Sequence, residues 1–361
     1  MVSFTASGAS YDFESGGLRF KILSGTDRTV SVVGIAGKAN PPKEMVIPSK
    51  VIYDSKTYDV TAIGDSAFQD FYDLTSVTIP NSVTAIGASA FESCYSLTSV
   101  TIPNSVTTIG ESAFYGCSDL TSVTIPNSVT TIGAFAFSEC HSLTSITIPN
   151  SVTTIGALAF CYCDSLTSVT ISNSVTTIEE ATFSNCDHLT SVTIPNSVTT
   201  IGDSAFLACY HLTSVTIPAS VTYLGEKAFY DCGLECIYMQ VKEPLSCTKV
   251  VSDKDLELCT LYVPAGTLEA YKKVDPWRNF CNIEEMEYSG ISDVGTDNEE
   301  VLQFSVNDGV LTIIGIGEDQ AIDIYDMHGR EVYRGVSRTI ENLAHGIYIV
   351  KFGNKAMKVK I

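Results

Sequence analysis

One unit of 23 residues recurs with little change from Val60 to Cys232. Its clearest copy runs Leu97-Thr98-Ser99-Val100-Thr101-Ile102-Pro103, then through Val106, Ile109, Gly110, Ala113 and Phe114 to Cys117. A fixed period of this size defines a solenoid, because one unit cannot close a core and must bury its apolar face against its neighbours. Leu97, Val100 and Ile102 alternate toward that core, which leaves Ser99 and Thr101 on the outer face of a short strand. Pro103 ends the strand, since it has no N–H to give to a ladder. Val106 and Ile109 return the chain to the core as a second short strand. Glu111 to Cys117 reads as one helical turn that buries Ala113 and Phe114.

One copy departs from the pattern: Ser172 replaces Pro, Glu179 replaces Gly and Thr182 replaces Ala. If the Gly110-type position takes positive φ, Glu179 is strained; if not, the glycine is a relic of duplication. This copy is where a bend in the stack is expected.

Of twelve cysteines, seven occupy one repeat position: Cys94, Cys117, Cys140, Cys163, Cys186, Cys209 and Cys232. Equivalent residues of stacked coils lie about 4.8 Å apart with parallel side chains, whereas a disulfide needs Cβ atoms about 3.8 Å apart and turned toward each other. Phe71 holds the position in the first copy, so the ladder reads as buried thiols in an apolar slot. Cys161, Cys236, Cys247, Cys259 and Cys281 stay unassigned, as does their disulfide state.

The formal charge is −20, and no Lys or Arg occurs between Thr57 and Glu226. An acidic surface of this kind repels phosphate backbones, so nucleic acid is excluded as a partner. No apolar run is long enough to span a bilayer as a helix. Met1-Val2-Ser3-Phe4-Thr5 lacks the features of a signal peptide, so the chain is either cytosolic or a mature form with its leader trimmed.

Residues 1–45 read as a β-rich N-terminal cap, with strands at Leu18–Ile22 and Thr29–Ile35 covering the open edge of the first coil. The solenoid spans 46–283, beginning with Val46-Ile47-Pro48, an echo of Thr-Ile-Pro. It closes with the strand Thr260–Pro264, a short helix over Ala265–Lys273 and the apolar Trp277 and Phe280. Residues 284–300 are acidic and read as a linker. Residues 301–361 carry short strands with turn signals at Asn307-Asp308-Gly309 and Met327-His328-Gly329, which argues a small antiparallel β-sandwich. The fold class expected is a mixed α/β repeat protein, a curved leucine-rich-repeat solenoid with this sandwich appended.

The repeat Leu-Thr-Ser-Val-Thr-Ile-Pro-Asn-Ser-Val-Thr-x-Ile-Gly-x-x-Ala-Phe-x-x-Cys resembles that of the BspA-like family of bacterial leucine-rich repeat proteins. The resemblance implies a curved solenoid on a secreted or surface-attached protein, with adhesion to host matrix proteins or to other bacteria. Ile324-Tyr325-Asp326, Gly329-Arg330, Val332, Leu343, Gly346-Ile347-Tyr348-Ile349-Val350-Lys351 and Lys358-Val359-Lys360-Ile361 resemble the C-terminal sorting domain of the type IX secretion pathway of Bacteroidetes. That resemblance implies export across the outer membrane and placement outside the cell or on its surface.

The sequence offers no base, nucleophile and metal constellation, so the chain is read as no enzyme, with no cofactor. His188 and His211 share one repeat position beside Cys186 and Cys209, but a Cys facing inward and a His facing solvent do not converge on a metal. Two surfaces compete as a binding face. One is the outer Ser/Thr array, represented by Thr101, Thr124 and Thr147, which suits an extended polymer or glycan. The other surrounds the cysteines, where copies differ most: Tyr72, Tyr95, Tyr115, Tyr162, Tyr210 and Tyr230 mix with Glu92, Glu139 and Asp187. Tyrosine gives large contact area and a polar handle at little entropic cost. The expected function is binding of a host matrix or surface protein, or of a glycan, by a monomer; the alternative is a spacer that displays another module.

Overall fold

A computed structural model describes residues 10–37, 42–286, 303–307, 310–314, 321–326, 331–337, 339–340, 347–352 and 355–360. The chain divides into two compact units, Met1–Met286 and Glu287–Ile361. The first is a β-solenoid of about ten stacked coils.

Three ladders join one coil to the next. On the first, Ser76–Thr78, Ser99–Thr101 and Ser122–Thr124 pair in parallel, like residue against like. Ser145–Thr147, Ser168–Thr170 and Ser191–Thr193 pair in the same way as a separate sheet, and Ser214–Ile217 begins a third with Cys236–Met239, Thr260–Pro264 and Asn282–Met286. That last strand runs into the acidic stretch read as a linker. The second ladder stacks Ala85–Ile86, Thr108–Ile109, Thr131–Ile132 and Thr154–Ile155. The third is the segment that starts at the repeat glycine: the N–H groups of Ser112, Phe114 and Gly116 donate to the carbonyls of Ala134, Ala136 and Ser138, each at 2.8 Å.

That third side corrects the expected helical turn. Ser112 and Gly116 have φ of 53° and 70°, and even Phe135, Leu158 and Tyr162 sit at 56–58° in the equivalent places. Left-handed residues four apart direct alternate N–H groups along the stack, so they bond to the next coil and not to the same turn. Among the described residues the helices are Asp253–Leu258, Leu268–Tyr271 and the 3₁₀ turn Trp277–Asn279. The mixed α/β label therefore gives way to an all-β solenoid with a few helical turns in its last coils.

The repeat glycine is neither a positive-φ turn nor a relic. Gly110 does not have left-handed φ. A Cβ on it would instead lie 2.6 Å from the Gly87 carbonyl carbon and 2.7 Å from the Ala88 nitrogen of the preceding coil. The backbones touch here, and only hydrogen fits between them.

The core is a set of columns. Phe68, Phe91, Phe114, Phe137, Phe160, Phe183, Phe206 and Phe229 are all buried, and successive rings stack at 5.2–5.5 Å between centroids, within the favourable range for offset aromatic pairs. The thiol ladder lies beside them, every member buried and free. Each S–H donates to a phenylalanine carbonyl, as Cys140 does to Phe114 at 3.3 Å. All twelve cysteines are unpaired, which settles the five left unassigned.

The ends are covered differently. At the N-terminus Phe13–Ser15, Leu18–Ser24 and Thr29–Ile35 form an antiparallel meander, whose last strand pairs in parallel with Lys56–Ile63 and so extends the second ladder. Glu44–Val46 pairs with Ser76–Thr78, so Val46-Ile47 does sit in the place of Thr78-Ile79. At the other end Trp277 is fully buried and its indole N–H donates to the Leu245 carbonyl at 2.8 Å.

The second unit contains two antiparallel sheets. One holds Gln303–Asn307, Val310–Ile314 and Thr339–Ile340; the other holds Ile322–Asp326, Glu331–Gly335, Ile347–Phe352 and Lys355–Lys360. Leu311, Ile313, Ile322, Ile324, Ile340, Tyr348 and Val350 share one apolar cluster. The turn signals around Asp308-Gly309 and Met327-His328-Gly329 lie outside the described residues.

Burial of the thiols sets a pH limit. Desolvation holds Cys117, Cys140, Cys163, Cys186 and Cys232 well above the ordinary value of 9.0 and pushes Cys94 up to about 12. A raised folded pKa gives stability that is complete below the unfolded value and is lost as pH rises above it. The expected outcome is a chemical-denaturation midpoint that is flat below pH 8 and falls steeply above pH 9, by up to ~1.4 kcal/mol per pH unit for each thiol. A thiol reagent applied to the native protein should label the exposed Cys281 first and leave the ladder untouched until unfolding.

Candidate functional site

The structure sorts the hydroxyls of the repeat into two groups. Thr98 Oγ1 donates to the Thr75 carbonyl at 3.3 Å, and Thr121, Thr144, Thr167 and Thr190 repeat the bond coil by coil. On the second ladder Thr107 and Thr130 likewise donate to Thr84 and Thr107. These threonines are stitches between coils. Thr101, Thr124 and Thr147 differ: they face solvent and stack in the outer column of the first ladder.

That outer column changes character toward its C-terminal end. The register matches Thr216 with Tyr238, Tyr238 with Tyr262 and Tyr262 with Glu284. Tyr238 and Tyr262 stack at 5.0 Å with ring planes 8° apart. Sequence reading missed this pair because its members are spaced by 24 residues, outside the strict period, while the parallel strands still bring them side by side.

The tyrosines around the cysteines lie along the third side in several columns. Tyr72 and Tyr95 directly follow the Cys position; they are 39% and 48% exposed and stack at 5.1 Å with planes 7° apart. Tyr95 leans over the next coil, where its ring would contact a Cβ placed on Gly116. Tyr115 sits beside it and donates its hydroxyl to Glu139. That hydrogen bond, reinforced by burial and by the charges of Glu139 and Glu92, pushes the Tyr115 hydroxyl up to about 12. Tyr72, Tyr95, Tyr115, Glu92 and Glu139 thus form one local group. Tyr162 is exposed one column away. Tyr210 shares the Tyr72–Tyr95 column but is cut off from it by Ser118, His141, Asp164 and Asp187. Tyr230 lies further along, with the Lys227 ammonium 6.0 Å from its ring. The six do not form one stripe.

Between the tyrosine groups lies a polar stretch. His188 and His211 stack at 5.1 Å, with Nδ1 at 2.8 and 2.6 Å from the carbonyls of Asp164 and Asp187. Both rings face solvent while Cys186 and Cys209 are fully buried, so the two residue types diverge. His141 Nδ1 lies 2.9 Å from Asp164 Oδ2. Partial burial and the Asp164 charge hold the Asp187 carboxyl above its usual value, against the pull of the two histidines. Among the described residues no group of three or more His, Cys, Asp or Glu could hold a metal. No helix among them is long and apolar enough to cross a membrane.

The fold and its repeat define a leucine-rich-repeat solenoid. The pattern of the BspA type leucine rich repeat region matches residues 55–161 and 131–243, in six copies. The chain belongs to that family. A leucine-rich repeat protein from Bacteroides ovatus is 31% identical, over 76% of this chain and 67% of its own, with a TM-score of 0.64. The leucine rich repeat protein of T. pallidum is 29% identical over 56% of this chain and 90% of its own, with a TM-score of 0.50. A leucine rich cell surface protein from Faecalibacterium prausnitzii is 27% identical over 78% and 96% of the two chains, with a TM-score of 0.48. No curated protein matches the chain.

The Tyr115–Glu139 contact can be read spectroscopically. Replacing Glu139 by Ala removes the main cause of the shift, the hydrogen bond, together with the Glu139 charge, so the Tyr115 phenol should titrate closer to its ordinary value of 10.0 than to 12. Tyrosine-selective NMR across pH 8–12.5 measures this, and an unmoved Tyr115 signal would show that burial alone sets its value.

Proposed function

We infer that this protein is a secreted or surface-exposed adhesin-like scaffold that grips a polypeptide partner at the edge of its N-terminal coils. The exposed Tyr72–Tyr95 stack, bordered by Tyr115, Glu92 and Glu139, carries this reading. Paired aromatic rings bring contact area with few rotamers to freeze, and they attract cations over their faces. The surrounding coils hold carboxylates and no Lys or Arg from Thr57 to Glu226. Electrostatic complementarity therefore favours a partner segment rich in Arg or Lys, such as the basic stretches of host matrix proteins. The reading of the second unit as a sorting domain supports an extracellular setting.

A second reading places a glycan on the first ladder, where outward threonines lead up to the stacked Tyr238 and Tyr262. Hydroxyl-rich ligands suit a surface of hydroxyls and aromatic rings.

Full-length protein probed against a panel of matrix proteins and a glycan array separates these. The double variant Tyr72→Ala/Tyr95→Ala should weaken protein binding at least tenfold, corresponding to about 1.4 kcal/mol or more at an aromatic hot spot, and binding should weaken as salt is raised. Loss confined to Tyr238→Ala/Tyr262→Ala with glycan probes would favour the second reading. Binding to neither panel would leave the chain as a spacer that displays another module.

A further inference from the structure

The second ladder is broken at one coil. Thr154–Ile155 ends one sheet, and Thr177–Ile178 begins another with Thr200–Ile201 and Tyr223–Leu224. At neighbouring junctions the repeat glycine N–H donates to the isoleucine carbonyl of the preceding coil: Gly133 to Ile109, Gly156 to Ile132 and Gly202 to Ile178, at 2.8–2.9 Å. The threonine amides add a second bond, as Thr153 to Thr130 and Thr199 to Thr176, and their hydroxyls a third. Among the described residues, the corresponding bonds from Glu179 to Ile155 and from Thr176 to Thr153 are missing.

The residue at the break is the one that departs from glycine. A Cβ on Gly156 would meet the Ala134 nitrogen at 2.3 Å, and one on Gly202 would meet the Glu180 nitrogen at 2.7 Å. Real Cβ atoms do not tolerate such contacts with backbone, so Glu179, which has one, keeps the coil off its predecessor. The other two sides stay joined. Ser145–Thr147, Ser168–Thr170 and Ser191–Thr193 pair without interruption, and Leu158 and Phe160 donate to Glu180 and Thr182 at 2.9 Å. The corner is also rewired: Ser172 Oγ donates to the Val152 carbonyl at 2.8 Å and Ser174 Oγ to the Asn150 carbonyl at 2.7 Å. In ordinary coils the Asn-Ser serine makes the first of these bonds, as Ser128 does to Val106.

The geometry points to a one-sided joint at Glu179, where the solenoid opens along its second ladder while the other two ladders hold it together. The coils carrying Tyr72, Tyr95 and Tyr115 lie on one side of the joint and those carrying Tyr210 and Tyr230 on the other, so opening changes the spacing between the two aromatic groups. Local opening draws on the least bonded part of a structure; on the second ladder that part is this coil, whereas the first ladder is interrupted at other junctions, after Ser122–Thr124 and after Ser191–Thr193.

Amide hydrogen exchange on the full-length protein tests this, comparing wild type, Glu179→Gly and Glu179→Ala. In the wild type the amides of 176–179 should exchange at least tenfold faster than those of 199–202 in the next coil. Glu179→Gly should remove that difference, and Glu179→Ala should retain it because the Cβ remains. Equal protection of the two segments in the wild type would overturn the joint. Slowing by Glu179→Ala equal to that by Glu179→Gly would overturn its assigned cause and point to carboxylate repulsion.

Discussion

Everything in the solenoid answers to one spacing, the distance at which parallel backbones exchange hydrogen bonds. Coils held about 4.8 Å apart on three sides leave no freedom elsewhere. The phenylalanine rings must stack face to face, and do so at 5.2–5.5 Å. In every copy after the first, where Phe71 stands, the cysteine position takes a small, apolar side chain whose one donor finds the carbonyl of the coil before it. The repeat glycine must lack a Cβ because the backbones meet there. Most of the strict period in this chain is a record of that spacing.

The same spacing explains why local rules fail at particular residues. Left-handed φ at Phe135, Leu158 or Tyr162 is costly for a free chain, by roughly 1–2 kcal/mol each. It persists because each such residue turns a backbone group into a hydrogen bond with the next coil. A reading tied to glycine looks for the strain in the wrong place, and a helical turn is what Glu111 to Cys117 would form without a neighbour. The glycine itself was legible as a constant, but its reason was not, because the clash that excludes a side chain involves residues 23 positions earlier.

Other features could be read directly. The inward thiols, the outward Thr101, Thr124 and Thr147, and the strand ended by Pro103 follow from alternation and from the period. The pairing of Tyr72 with Tyr95 was implicit in their separation of one repeat, while the position of Tyr115, Tyr162 and Tyr230 in other columns meant that six tyrosines could not form one stripe. Tyr238 and Tyr262 were hidden for the opposite reason: the period slips in the last coils while the strands stay paired. Periodicity identifies columns only where the period is kept.

The antiparallel meander at the N-terminus has a bearing on how such a chain is made. Phe13–Ser15, Leu18–Ser24 and Thr29–Ile35 pair with strands close in sequence, whereas each later coil needs a finished coil to bond to. Local pairings close quickly, and the non-local ones then extend them one unit at a time. A chain emerging from its N-terminus thus presents a template before it presents the repeats. Glu179 marks the step at which the second ladder gives the next coil no pairing, while the first and third ladders still do.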